Sequence, residues 1–170
     1  MTEDLPAVIL LMGVAGSGKT TIGKKLSEML GWPYADADEF HPAANVTKMR
    51  AGHPLTDEDR KPWLAAIASH IDKTIAVGGH AIVSCSALKR SYRDVIVGAR
   101  KGVRIVLLEG SHDLIAARMG ARKNHFMPTS LLDSQFATLE RPTPDEHAIV
   151  VSVAGTPDEI AANVIAKLGR

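Results

Sequence analysis

The chain has 170 residues, 45% of them hydrophobic and 23% charged, a size and balance that predict one globular folding unit over residues 1–170. Lys and Arg total 20 against 19 for Asp and Glu; the net charge of +1 excludes a global basic field for nucleic acid or an anionic membrane, so any anion must be bound locally. A lone Cys85 excludes an intrachain disulfide, no histidine pair has zinc-ligand spacing, and the start Met1-Thr2-Glu3-Asp4 is acidic with no apolar run of membrane-spanning length, so a cytoplasmic protein without a transition-metal site is expected.

The first apolar run, Ala7–Met12, reads as a strand buried on both faces. It leads into Gly13-Val14-Ala15-Gly16-Ser17-Gly18-Lys19-Thr20, the complete phosphate-loop pattern. After the loop Ile22, Leu26, Met29 and Leu30 recur at helical spacing, and Gly31 is a stop signal. Strand, glycine-rich loop and helix together are the context in which backbone N–H groups and a helix N-terminus converge on phosphate oxygens. Residues Gly13 through Thr21 are therefore the expected nucleotide contacts, with Lys19 reaching the β- and γ-phosphates and Thr20 offering its hydroxyl to Mg²⁺. No Asn-Lys-x-Asp stretch for guanine occurs, which favours ATP.

A shorter strand candidate, Pro33–Asp36, runs into Asp36-Ala37-Asp38-Glu39-Phe40-His41-Pro42. Alternation along a strand would send Asp36 and Asp38 to opposite sides, one toward hydrated Mg²⁺ and the other toward an acceptor hydroxyl. Asp38 is the candidate to orient and deprotonate that hydroxyl, and Asp36 the candidate for the metal, through water. The competing reading is a solvated acidic loop, or Asp38 capping a short helix around Phe40. Leu64, Ile67, Ile71 and Ile75 mark a helix with Pro62 and the acidic group Asp57, Glu58 and Asp59 near its start and Gly78-Gly79 at its end.

His80–Cys85 and Val103–Leu108 are the next strands, and a helix beginning near Asp113 places Arg118 and Arg122 on one face. Those two arginines are candidates to grip phosphates and neutralise charge on the transferring group. Ala148–Val153 is the last strand, and Thr156-Pro157-Asp158-Glu159 opens a final helix through Ile160, Val164, Ile165 and Leu168. Strands alternating with helices predict an α/β class with a largely parallel sheet.

These residues resemble the gluconokinases, relatives of the shikimate and nucleoside monophosphate kinases. The likeness runs nearly the full length of the chain. It rests on the phosphate loop, on Asp36-x-Asp38-x-x-His41-Pro42 with Asn45 and Lys48-Met49, and on Gly52-x-Pro54-Leu55-x-Asp57-x-Asp59-Arg60-x-Pro62-Trp63-Leu64. Cys85-Ser86-Ala87-Leu88-Lys89, Tyr92-Arg93, Arg118, Arg122-Lys123-x-His125-Phe126, Gln135-Phe136 and Leu139-Glu140 complete it. The resemblance implies a nucleoside monophosphate kinase-like phosphate-loop fold: a five-stranded parallel sheet, a helical substrate-binding region near residues 40–75 and a lid near 119–130. It implies Mg²⁺-dependent transfer of the γ-phosphoryl of ATP to D-gluconate, giving 6-phosphogluconate and ADP, in a homodimer. His41, Asn45, Lys48, Arg60, Ser86, Lys89, Arg93, His125 and Gln135 become acceptor-binding candidates by that resemblance, and Pro157 a neighbour of adenine, although its turn also serves as a helix cap. Arg60 and Arg93 lead for the acceptor's carboxylate, because a guanidinium fork matches it at two points. Shikimate kinases share the Asp-x-Asp but carry a glycine triplet where this chain has Cys85-Ser86-Ala87, which puts shikimate or another sugar acid second. A non-catalytic ATP-binding regulator is the reading from a different class.

Overall fold

The computed structural model describes residues 5–120 and 129–169. Five strands, β1 (Val8–Met12), β2 (Tyr34–Asp36), β3 (Ala81–Ser84), β4 (Val103–Glu109) and β5 (Ile149–Ser152), pair in parallel in the order β2-β3-β1-β4-β5. Parallel neighbours need a crossover between them, and the helices supply it. Helix α1 (Lys19–Leu30) joins β1 to β2, α2 (Ala43–Arg50) and α3 (Asp57–Ala76) join β2 to β3, and α4 (Arg90–Ile96) joins β3 to β4. Helices α5 (His112–Gly120) and α6 (Thr129–Thr138) lie between β4 and β5, and α7 (Pro157–Leu168) follows β5.

The central strand β1 is fully buried along its whole length, as its uninterrupted apolar run requires. Its alternating side chains serve two cores. Val8, Leu10 and Met12 pack with Trp63, Leu64, Ile67 and Ile71 of α3, whereas Ile9 and Leu11 pack with Ile22 and Leu26 of α1 and Ile160, Val164 and Leu168 of α7. The register sets Leu10 between Val83 of β3 and Ile105 of β4, so all C-terminal strand ends open on one edge of the sheet. Consecutive strands leave β1 in opposite directions, and the crevice this creates is where open α/β sheets bind ligands.

All five predicted strands are present, and Gly31 ends α1 with φ 72°. Helix α3 has the acidic group Asp57, Glu58 and Asp59 and Pro62 near its start, as expected. It begins at Asp57, where Thr56 Oγ1 accepts from Asp59 N and the Asp59 carboxylate accepts from Thr56 N, so Pro62 falls inside the helix. Pro62 has no N–H to give the carbonyl of Glu58, an exposed residue of the first turn. Among the described residues no helix is long and apolar enough to cross a membrane.

Candidate active site

The phosphate loop leaves the end of β1 and feeds directly into α1. A Cβ on Gly13 would stand 2.7 Å from Ser17 Oγ and 3.1 Å from the Leu108 carbonyl, so only glycine fits where the loop folds against β4. Gly18 caps α1 in the left-handed region at φ 95°, with no side-chain cap and no acidic residue in the first helical turn. The first N–H groups of α1 thus meet neither a capping side chain nor a first-turn carboxylate. Ser17 Oγ, buried with its residue 2% exposed, has no hydrogen-bond partner among the described residues. An orphaned hydroxyl beside uncapped N–H groups fits an anionic ligand such as a nucleotide phosphate.

Lys19 Nζ donates to the carbonyls of Gly13 at 2.9 Å and Val14 at 3.1 Å, curling its charge over the loop. Burial pulls its ammonium below the ordinary lysine value, against the opposing pull of Asp38 and Asp36. Gly16, Gly18, Thr21, Arg118, Gly155 and Pro157 line one cavity of about 210 Å³ beside the loop. Arg118 donates to the Gly155 carbonyl at 3.3 Å there. The fold therefore brings three separately predicted nucleotide segments to one place.

Gln135 lies elsewhere than the acceptor cluster: from α6 its Oε1 accepts the Ala15 N–H at 2.5 Å, which makes it a neighbour of the phosphate loop. Arg122, Lys123, His125 and most of the expected lid lie outside the described residues.

On the acceptor side, Asp36 ends β2 and its Oδ1 accepts from Asp38 N at 2.9 Å, capping a 3₁₀ turn over Ala37–Phe40. Asp36, not Asp38, is the cap. Asp38 keeps its carboxylate free, with the side chain 84% exposed. Desolvation by the surrounding protein, and after it the Asp36 charge, push its pKa above the usual carboxylate value, while His41 and Lys19 pull it back. Thr20 is exposed at the start of α1. Among the described residues no three His, Cys, Asp or Glu gather to hold a metal. One or two protein oxygens completed by phosphate oxygens and water is the usual Mg²⁺ arrangement, and Thr20 with Asp36 suits it.

The acceptor candidates divide into those turned outward and those turned inward. Arg60 donates to Tyr92 Oη at 3.1 Å and Tyr92 donates to Asp57 Oδ1 at 3.0 Å. Arg60 and Lys89 each stand 3.6 Å from that same carboxylate oxygen and lie over the Tyr92 ring, at 5.7 and 5.5 Å. The Tyr92 hydrogen bond, then the Lys89 charge, hold the Asp57 carboxyl below its usual range. Two partly exposed cations thus share one exposed carboxylate. Ser86 is half-buried after β3, and Lys48 pairs with Asp59 at 2.6 Å. Asn45 is buried and donates to the Asp59 carbonyl at 2.8 Å and to His41 Nδ1 at 3.3 Å, so its donors are spent inside the protein. This corrects its assignment to the acceptor.

Arg93 requires the same correction. Only 1% exposed, it donates to the Glu146 carboxylate through Nε at 2.6 Å and Nη2 at 3.3 Å, and to the Ala87 carbonyl through Nη1 at 2.8 Å. It cannot present a fork to a ligand. Its work is to hold the loop after β3, where Ala87 sits in the left-handed region at φ 46°. Arg93→Met takes the main partner from the buried Glu146 carboxylate, which keeps the Thr143 N–H at 2.8 Å and Arg90 at 3.6 Å, and a loss of about 3 kcal/mol in urea unfolding is expected. Cys85, pushed up to about 12 by burial, is a neutral thiol and no nucleophile.

Sequence reasoning missed Asp57, Tyr92 and Trp63 as site residues. Their blocks were legible, but only the fold shows that Trp63 stacks under His41 and that Tyr92 bridges Arg60 to Asp57.

A family model for shikimate kinase matches residues 15–169. The gluconokinase of Gluconobacter oxydans (strain 621H) is 44% identical over 160 residues, which cover 94% of this chain and 90% of that protein. The crystal structure of a gluconokinase from Sinorhizobium meliloti 1021 superposes with a TM-score of 0.86 at 45% identity, covering 98% of this chain and 93% of that one. A shikimate kinase from Bacteroides thetaiotaomicron, at 16% identity, superposes with a TM-score of 0.69 over 96% of this chain and 99% of its own; at that identity the likeness shows the fold alone.

Proposed function

Since the chain belongs to the shikimate kinase family and, within it, to the gluconokinases, we propose that it transfers the γ-phosphoryl group of ATP to D-gluconate, giving 6-phospho-D-gluconate and ADP. The observation that carries this reading is the near full-length likeness at 44–45% identity. Consistent with it, a phosphate loop, a free carboxylate and a pair of cations gathered on a carboxylate occur at the same edge of the sheet.

Phosphoryl transfer leaves the protein little covalent work; it positions the reactants and stabilises charge. The loop N–H groups and Lys19 hold the phosphates, and Arg118, joined on this reading by Arg122, covers the transferring group and excludes water. Thr20 and Asp36 would hold Mg²⁺, which when bound offsets phosphate charge. Asp38 orients the acceptor hydroxyl and takes its proton as the new O–P bond forms. Arg60 and Lys89 exchange Asp57 for the gluconate carboxylate, with Tyr92 beneath them, and Ser86 and Lys48 border the acceptor. Residues 40–75 form the acceptor region of one kinase domain and 119–130 its lid. The working form is a homodimer in the cytoplasm, where ATP is at hand; sedimentation of the purified protein tests the dimer.

Coupled ADP release with gluconate, shikimate, glucose and nucleoside monophosphates tests the reading. Turnover stimulated by gluconate is expected; activity with shikimate and silence with gluconate would overturn it, and a regulator would show no acceptor stimulation. Within this reaction Asp38→Asn keeps size and hydrogen bonding but loses the base, so a fall in kcat of at least ~100-fold is expected. A wild-type kcat with only a raised gluconate KM would make Asp38 a binding residue instead.

A further inference from the structure

His41 is packed too deeply to serve as an ordinary substrate ligand. Its side chain is 6% exposed and stacks on Trp63, with ring centroids 4.4 Å apart and planes 11° from parallel. The Trp63 indole is itself fixed, donating to the Ala37 carbonyl at 2.7 Å. The ring's tautomer follows from its partners. A backbone carbonyl only accepts, so the Asn45 amide nitrogen gives one hydrogen to Asp59 O at 2.8 Å and its other to His41 Nδ1 at 3.3 Å. Nδ1 therefore accepts, and the neutral ring carries its proton on Nε2.

That N–H has one conspicuous target. Nε2 stands 3.9 Å from Asp38 Oδ1, too long for a hydrogen bond but within a side-chain rotation of an exposed carboxylate. The backbone brings the two together, since the His41 N–H donates to the Asp38 carbonyl at 3.3 Å across the 3₁₀ turn. The charged groups facing the ring are Asp38 and Arg60, and burial, the largest influence, favours its neutral form.

We propose that His41 is a positioning residue for Asp38: its Nε2–H, aimed by Asn45, holds Oδ1 so that the other carboxylate oxygen faces the acceptor hydroxyl. This rests on Asp38 being the acceptor-orienting carboxylate. As the hydroxyl oxygen bonds to the γ-phosphorus, the bond from that phosphorus to the β–γ bridging oxygen breaks. The hydroxyl proton passes to the free oxygen of Asp38, and His41 keeps its own proton throughout.

Two substitutions separate positioning from packing. His41→Phe keeps a ring to stack on Trp63 and removes the donor; His41→Gln removes the stack and keeps an amide donor near the place of Nε2. Positioning predicts that His41→Phe lowers kcat by about 10- to 100-fold, the scale of a misaligned reacting group, with little change in gluconate KM. His41→Gln should restore most of kcat. A packing role predicts the reverse order, an active Phe variant and an impaired Gln variant, and would overturn the proposal. In an Asp38→Asn background, His41→Phe should add no further loss in kcat, because the group it positions no longer acts as a base. If Asp38→Asn is itself fully active, the reading of Asp38 fails; if Asp38→Asn is slow while His41→Phe is fully active, only the role of His41 fails. Imidazole ¹⁵N NMR of the wild-type protein needs no His41 variant: an Nε2-protonated ring is expected, and an Nδ1-protonated one would overturn the proposal.

Discussion

Lys19→Ala is expected to lower kcat by about 10²- to 10³-fold, the range seen when one preorganised charge-stabilising donor is removed, while ATP affinity falls far less. The difference comes from what the substitution leaves behind. Gly13, Gly18 and the uncapped first turn of α1 belong to the backbone and remain when the lysine side chain is cut back, so the backbone donors that hold a phosphate in the ground state persist. Lys19 contributes a partly desolvated charge, parked on the carbonyls of Gly13 and Val14. That charge gains most as negative charge redistributes toward the leaving oxygen, an interaction stronger in the transition state than in the bound substrate. Single-turnover kinetics and equilibrium ATP binding on the folded variant read the two quantities apart. An unchanged kcat would remove Lys19 from the chemistry, and an unchanged kcat with weakened ATP binding would make it a uniform binding group.

The phosphate loop and all five strands were legible because their signals are local. A buried parallel strand is an unbroken apolar run, and a loop that must approach phosphates closely needs glycine at fixed offsets. The start of α3 was also written locally, in the acidic group Asp57, Glu58 and Asp59 and the nearby Pro62, and Thr56 completes the cap. The two arginines show where local reading ends. Arg60 and Arg93 have the same chemistry and both sit in family-like blocks, yet Glu146, separated by 53 positions, claims Arg93 for the interior. Nothing near Arg93 in the chain announces that partner. Gln135 is similar, since its contact with Ala15 spans 120 positions, and Asn45 faces inward from a short helix whose apolar pattern gives no sign of a buried face.

That division sharpens what carboxylate recognition should look like. Arg60, with its side chain 31% exposed, already engages a carboxylate, that of Asp57, beside Lys89 and over the Tyr92 ring. An acidic acceptor arriving at this place finds the cations paired with a surface group that water can take over. A neutral acceptor finds the same cations with nothing to exchange, and entering would leave a desolvated guanidinium without an anion. Sites built around a polar group reject analogues lacking it by roughly 10⁴-fold, so wild-type kcat/KM for gluconate should exceed that for gluconamide by about that factor. Gluconamide is the cleaner comparison, being open-chain like gluconate, whereas glucose is mostly a closed ring. Arg60→Lys keeps the charge but loses the two-point fork, so most of this discrimination should disappear through kcat/KM for gluconate, with the melting temperature nearly unchanged. Arg93→Lys should do the opposite, lowering stability through the buried pair with Glu146 and leaving the gluconate-to-gluconamide ratio intact in the protein that remains folded. If wild type phosphorylates gluconamide nearly as well as gluconate, or if Arg60→Lys keeps full discrimination, the carboxylate is read elsewhere, and the pairing of Arg60 with Asp57 is only a feature of the surface.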